Sequence, residues 1–254
     1  MACVFNKQLL HPRNWLTWFG LGILWLIVQL PYPLLHFIGT SAGRLSRRFL
    51  KRREHIARRN IELCFPDMSP AARETLIDQN FMSLELGGRA MGLCRPMMAT
   101  YRPHNSPLME WVQTRGRLRS NKAMIDRNNL TGLVHALKSG EAVWFAPDQD
   151  YGPKGSVFAP FFSVPQAATT NGTYVLSRLS GAKMLSISMV RKLDRQGYSL
   201  HISEVMNDYP GEDKQIAAGY INKVIEREIL RAPEQYLWVH RRFKTRPLGE
   251  PSVY

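Results

Sequence analysis

Two clusters of residues have the types and spacing for chemistry. The first is Tyr101-Arg102-Pro103-His104-Asn105-Ser106-Pro107, followed closely by Arg115, Arg117, Arg119, Ser120, Asn121, Lys122 and Arg127. Guanidinium forks bind phosphate oxygens bidentately, so such a cluster suits an anionic substrate. Arg102, Asn105, Arg117, Arg119 and Arg127 are the candidate substrate-binding set, together with the second cluster, Asp148 and Asp150. Those carboxylates follow the apolar run Ala142-Val143-Trp144-Phe145-Ala146. Groups at the C-terminal end of a strand sit where α/β folds place their active residues. The same pair would serve equally as a capped turn. A metal role lacks a third ligand at suitable spacing.

The elements that must position these groups can be traced from periodicity and punctuation. Ser69-Pro70 and Ser106-Pro107 each read as an N-cap followed by proline at the first helical position. Leu130 to Lys138 reads as a short helix closed by Ser139-Gly140, and Glu212 to Arg231 as a long amphipathic one. Apolar runs at 142–146 and 157–162 read as strands, 167–180 as a helix, and 184–190 with 198–203 as paired strands around Asp194-Arg195-Gln196-Gly197. The alternation predicts an α/β fold with a mixed sheet covered by helices.

Charge and composition narrow the partner. The chain has 254 residues, 44% of them apolar, which excludes wholesale disorder. Its net charge is +14, and residues 1–60 carry ten Lys/Arg against one acid, Glu54. Cys3, Cys64 and Cys94 share no close spacing, so neither a disulfide framework nor a zinc set is indicated. A nucleic-acid-binding domain would spread its basic groups over a folded face with interleaved aromatics. Here the excess flanks an apolar run instead, which points to an anionic phospholipid membrane and away from nucleic acid.

No Asp, Glu, Lys or Arg lies between Arg13 and Arg44. A helix over residues 15–35 would span about 31 Å, close to the roughly 30 Å hydrocarbon core. Trp15, Trp18, Trp25 and Tyr32 supply interfacial aromatics. Pro31 and Pro33 should kink or end the helix near its C-terminal side. The expectation is an N-terminal membrane helix, with a helix lying in one leaflet or a buried core helix as alternatives. Arg44, Arg47, Arg48, Lys51, Arg52, Arg53, Arg58 and Arg59 then read as a basic amphipathic helix facing anionic lipid. The resulting division is 1–38 anchoring helix, 39–63 basic helix and 64–254 soluble domain, with the basic side in the cytoplasm.

Long runs of the chain resemble the late acyltransferases of lipid A biosynthesis in Gram-negative bacteria. They are LLHPRNWLTWFGLGILWLIVQLPYP, KRREHIARRNIELCFP, YRPHN, RSNKAMIDR, WFAPDQDYG, ATTNGTYVLSRLSGA and APEQYLWVHRRFKTRP. The stretch FMSLELGGRAMGLCRPMMATYRPHN resembles the palmitoleoyl-transferring branch more than the lauroyl one. The resemblance implies a fold similar to glycerol-phosphate acyltransferases. It also implies a donor on acyl carrier protein, a Kdo-bearing lipid A precursor as acceptor, an inner-membrane location and no cofactor.

The resemblance also implies a catalytic H-x-x-x-x-E motif. In it the His takes the acceptor hydroxyl's proton and the Glu orients the imidazole. At the matching positions Glu85 is present, but Asn80 stands in the place of the His. An amide cannot accept a proton near neutral pH. None of the seven histidines has an acid five residues on, so the motif has not moved elsewhere. Residues 70–79 resemble an earlier helix of the family. This implies an internal deletion of several dozen residues, including a core strand, joined at Asn80-Phe81. The competing expectation is a non-enzymatic, membrane-anchored remnant that binds lipid or acyl carrier protein.

Overall fold

A computed structural model describes residues 5–84, 97–192 and 197–254. The order is α1 (Trp15–Ile27), α2 (Tyr32–Phe49), α3 (Lys51–Cys64), α4 (Pro70–Leu84), β1 (Met98–Tyr101), α5 (Pro107–Arg117), β2 (Ala123–Asp126), α6 (Leu130–Lys138), β3 (Val143–Trp144), β4 (Ser156–Phe161), β5 (Val164–Thr170), α7 (Gly172–Ser180), β6 (Ile187–Arg191), β7 (Tyr198–Ile202) and α8 (Lys214–Ile229). The chain divides into two compact units. One comprises residues 1–38 and 89–145, the other 39–88 and 146–254.

The first unit holds a parallel sheet of order β2-β1-β3. Helix α5 carries the chain from β1 to β2, and α6 from β2 to β3. Each begins on a side-chain cap: Ser106 accepts from the Met109 N–H, and Asn129 from the Gly132 N–H. Such caps satisfy donors that the first turn leaves open. Leu108 and Leu133 are buried beneath these helices. Phe5 and Trp18 pack on Trp111 at 5.4 and 6.0 Å between ring centroids.

The second unit is centred on the β4–β5 hairpin, against which α8 packs. Its core joins Ala57 and Ile61 of α3, Ile77 and Phe81 of α4, Phe161, Ala167, Trp238 and Phe243. Gly43 allows α2 to approach α4 closely, because a Cβ there would run into the main-chain oxygen of Phe81. A second hairpin, β6–β7, completes the unit.

Several sequence expectations need correction. The expected N-terminal membrane helix does not form: among the described residues, no helix is long and apolar enough to cross a membrane. Helix α1 has 13 residues, or about 20 Å, well short of a hydrocarbon core. It ends before Pro31, the residue expected to break it. Helix α2 then becomes amphipathic and charged, with Arg44, Arg47 and Arg48. The basic run is likewise split between α2 and α3 at Leu50. In place of one mixed sheet, the described residues form three small ones. The segment read as a helix over 167–180 starts as strand β5, because Ala167 to Thr170 pair with β4.

Candidate functional site

The parallel sheet positions the arginines. Tyr101 and Asp126 are register partners at the C-terminal ends of β1 and β2. Arg102 and Arg127 are the next residues of their strands, and the Arg127 N–H donates to the Tyr101 carbonyl at 2.9 Å. The sheet therefore sets these two arginines side by side at its C-terminal edge, the end that α/β folds use for ligands. The β1–α5 loop carrying Asn105 is held by short-range bonds. The His104 N–H donates to Glu110 Oε2 at 2.6 Å, and the Ser106 N–H to His104 Nδ1 at 3.0 Å. Arg102 and Asn105 are exposed, and Arg127 is half-buried.

Arg117 and Arg119 lie elsewhere in the same unit. Helix α5 leaves the C-terminal edge and runs 11 residues, about 16 Å, to the other end of the sheet. There Asn121 Nδ2 donates to the Arg117 carbonyl at 2.9 Å, and the Lys122 N–H to the Met97 carbonyl at 3.0 Å, just before β1 begins. The arginine cluster thus separates into a pair at the C-terminal edge and a pair at the N-terminal end.

Asp148 and Asp150 belong to the second unit. Asp150 is only 3% exposed. Its Oδ2 accepts from the Thr245 N–H at 2.8 Å, and its Oδ1 from the Thr245 hydroxyl and the Gly152 N–H, both at 2.8 Å. These bonds tie the loop after β3 to the C-terminal segment, which is a clasp. Asp148 is half-buried, and its main-chain oxygen accepts from the Tyr236 hydroxyl at 3.1 Å. Burial raises the Asp148 carboxyl above its ordinary range, partly opposed by Arg242. Burial likewise raises the Tyr236 phenol.

Asn80 is fully buried on α4, at 0% exposure. Its Nδ2 donates to the carbonyls of Glu234 and Tyr236 at 2.9 and 2.7 Å, while Oδ1 has no hydrogen-bond partner. It tethers α4 to the turn before Trp238. Glu85, Cys3 and Cys94 lie outside the described residues, as do residues 194–196 of the expected turn. Among the described residues, no group of three or more His, Cys, Asp or Glu could hold a metal ion.

The C-terminal segment supplies residues that sequence reasoning missed. Buried Arg242 stacks over the Phe161 ring at 4.7 Å and donates from Nη1 to the Ala168 carbonyl at 2.6 Å. Gln235 bonds both the N–H and the carbonyl of Arg191, at 2.8 and 3.1 Å, as a neighbouring strand would. The signals pointing to this segment were its aromatic and basic density and its place among the runs that carry the family resemblance, residues 232–247.

Comparison with known proteins fixes the relationship. The sequence model of the family described as "Bacterial lipid A biosynthesis acyltransferase" matches the chain in two segments, residues 2–84 and 81–245. The chain is 59% identical to a lipid A biosynthesis palmitoleoyltransferase of Escherichia coli (strain K12), with 99% of the chain and 98% of that protein covered. It is 44% identical to the lauroyltransferase of the same organism, with 98% of each covered. A lipid A biosynthesis acyltransferase of Haemophilus influenzae is 38% identical, with 98% of this chain and 97% of that protein covered. The first of these alignments runs over 302 positions against a chain of 254 residues, which leaves at least 48 positions without a counterpart. With most of the chain matched, and its two matched segments meeting at residues 81–84, the chain belongs to the bacterial lipid A biosynthesis acyltransferases.

Proposed function

We propose that this chain descends from an enzyme moving a palmitoleoyl group from acyl carrier protein to a Kdo-bearing lipid A precursor, and that it has lost most of that transfer. Its place of action is the cytoplasmic face of the bacterial inner membrane. The observation that carries the loss is the junction at residues 81–84, combined with the aligned positions that lack a counterpart. The missing segment falls at that junction, and the catalytic His of the family motif goes with it. Asn80 meets the His spacing to Glu85 only because the join places it there. Its buried tether to Glu234 and Tyr236 supports this, since a general base must reach substrate.

Arg102 and Arg127 bind phosphate oxygens of the anionic substrate at the C-terminal edge of the parallel sheet, beside Asn105. Arg117 and Arg119 contribute to anion attraction from the other end. Within the second unit, Asp150 clasps the loop after β3 to the C-terminal segment, and Asp148 on that loop is the group offered to an acceptor. The exposed tryptophans of α1 support membrane association without a span, because α1 buries none of its residues. Aromatic side chains of this kind sit well at a membrane–water interface.

The test is transfer from palmitoleoyl–acyl carrier protein to a lipid A precursor by purified chain, beside the E. coli palmitoleoyltransferase. A loss of at least about 10²–10⁴ in rate is expected without the general base. Rates within tenfold of the relative would remove the proposal. The second reading, a remnant that binds without catalysis, is favoured by precursor binding that persists when transfer is absent.

A further inference from the structure

The turn between α2 and α3 leaves an apolar wedge ringed by cations. Ser41, Arg44, Leu45, Arg48 and Phe49 fall on one stripe of α2 at helical spacing, Arg52 lies in the first turn of α3, and all are exposed. Phe49 is 76% exposed and Leu45 56%, with Leu50 exposed beside them at the turn. The opposite side of α2 is committed to the protein: Gly43 packs on Phe81, and Arg47 turns inward. Arg47 reaches Glu54 at 2.9 Å, Glu74 at 2.7 Å and Asp78 at 3.3 Å. Arg58 pairs with Glu54 and Glu74, and Arg53 donates to the Val239 carbonyl at 3.2 Å. Arg47 and Arg58 therefore hold α2, α3 and α4 together, and Arg53 ties α3 to the C-terminal segment. Among the described residues, Arg44, Arg48 and Arg52 form no ion pair, and each lies within two residues of Leu45, Phe49 or Leu50 along the chain.

We propose that this turn is an anionic-lipid docking wedge, in which Leu45, Phe49 and Leu50 enter the headgroup–acyl boundary while Arg44, Arg48 and Arg52 bind lipid phosphates. The occupant is a phospholipid surface, because charge complementarity and apolar insertion are required together. A soluble phosphate would use the arginines and leave Phe49 in water. The turn is stiff enough to present the wedge. Only Leu50 separates the helices, with its N–H bonded to the Ser46 carbonyl at 2.8 Å and its carbonyl accepting from the Arg53 N–H at 2.8 Å. The proposal rests on membrane association, and it is independent of α1 because every residue it uses lies in the second unit.

The experiment is vesicle co-sedimentation of the full chain on phosphatidylglycerol-rich and on pure phosphatidylcholine vesicles. Each basic group near an anionic surface is worth about fivefold in partitioning, so R44Q/R48Q/R52Q should lose about 10²-fold on the anionic vesicles. It should change little on phosphatidylcholine. L45S/F49S should lose at least about tenfold on the anionic vesicles. A control with the same charge change, K138Q/K154Q/K183Q, should lose less than about threefold. Equal losses in control and wedge variants would overturn the proposal in favour of net-charge attraction. An R44Q/R48Q/R52Q loss with unchanged L45S/F49S binding would overturn it in favour of a phosphate-only site. All substituted side chains are exposed, and an unchanged circular dichroism melt checks folding. No turnover enters the readout, so failure here leaves the acyltransferase descent standing, and absent transfer leaves the wedge standing.

Discussion

Restoring histidine at the motif position, by Asn80→His, should damage the protein without reviving it. The Asn80 amide supplies two N–H donors to two carbonyls, those of Glu234 and Tyr236. A neutral imidazole carries one N–H, so one buried carbonyl loses its partner, at about 1–3 kcal/mol. The charged ring has two donors, but charging an imidazole at a fully buried site is disfavoured. The ring is also larger than the amide, and overpacking a closed site costs about 1–3 kcal/mol more. Its second nitrogen would inherit the unpartnered place of Oδ1, so no compensation arises. The total is about 2–6 kcal/mol, a large share of a typical stability of about 5–15 kcal/mol. Urea unfolding followed by tryptophan fluorescence would read it, because buried Trp238 lies two residues beyond Tyr236 and packs on its ring at 4.8 Å. A variant as stable as the parent to within about 0.5 kcal/mol, or one that gains transfer, would refute the reasoning.

Two further predictions rest on other contacts of the second unit. Asp150→Ala should cost about 2–4 kcal/mol, because three hydrogen bonds to a buried carboxylate are lost together. Thr245→Val should cost less, and the double variant should cost less than the sum of the two. Strict additivity in urea denaturation would show that the clasp does not exist. The Arg58 guanidinium, aided by Arg47, holds the Glu74 carboxyl down at about 2, well below its ordinary value near 4.5. A depressed carboxyl stabilises the fold above its unfolded value, and that contribution is lost as pH falls from about 4.5 to about 2. Glu74→Gln should therefore flatten the acid limb of the stability curve in that window. The effect is reduced by solvent screening, because the side chain is 47% exposed. Identical acid limbs in parent and variant would sink the assignment.

The sequence displayed some elements plainly and hid others for identifiable reasons. Helices α4, α5 and α6 carried explicit start or stop signals, Ser-Pro caps or Ser139-Gly140, and they stand where those signals put them. Strands β1 and β2 were not predicted, because Met98–Tyr101 and Ala123–Asp126 are four residues each and show no alternation. Strand β5 looked helical because Ala and Thr at 167–170 lack strand periodicity, yet hairpin pairing with β4 overrode local preference. The apolar run at 15–35 suggested a span by length alone. Proline then limited the first helix, and amphipathicity claimed the second. Arg102 and Arg127 stand out by residue type as candidate anion ligands, but their adjacency needed the strand register. The clasp of Asp150 on Thr245 joins residues 95 apart in sequence, a pairing that no local pattern announces.

The central claim is that transfer was lost with the segment missing at residues 81–84, and the most direct test is to put it back. The absent positions of the E. coli palmitoleoyltransferase, with their His, would be inserted at that junction, and palmitoleoyl transfer to a lipid A precursor measured beside the chain as it stands and beside Asn80→His. The account predicts transfer only in the repaired chain, with a gain of at least about 10²-fold. Clear transfer by the chain as it stands, or by Asn80→His alone, would contradict it.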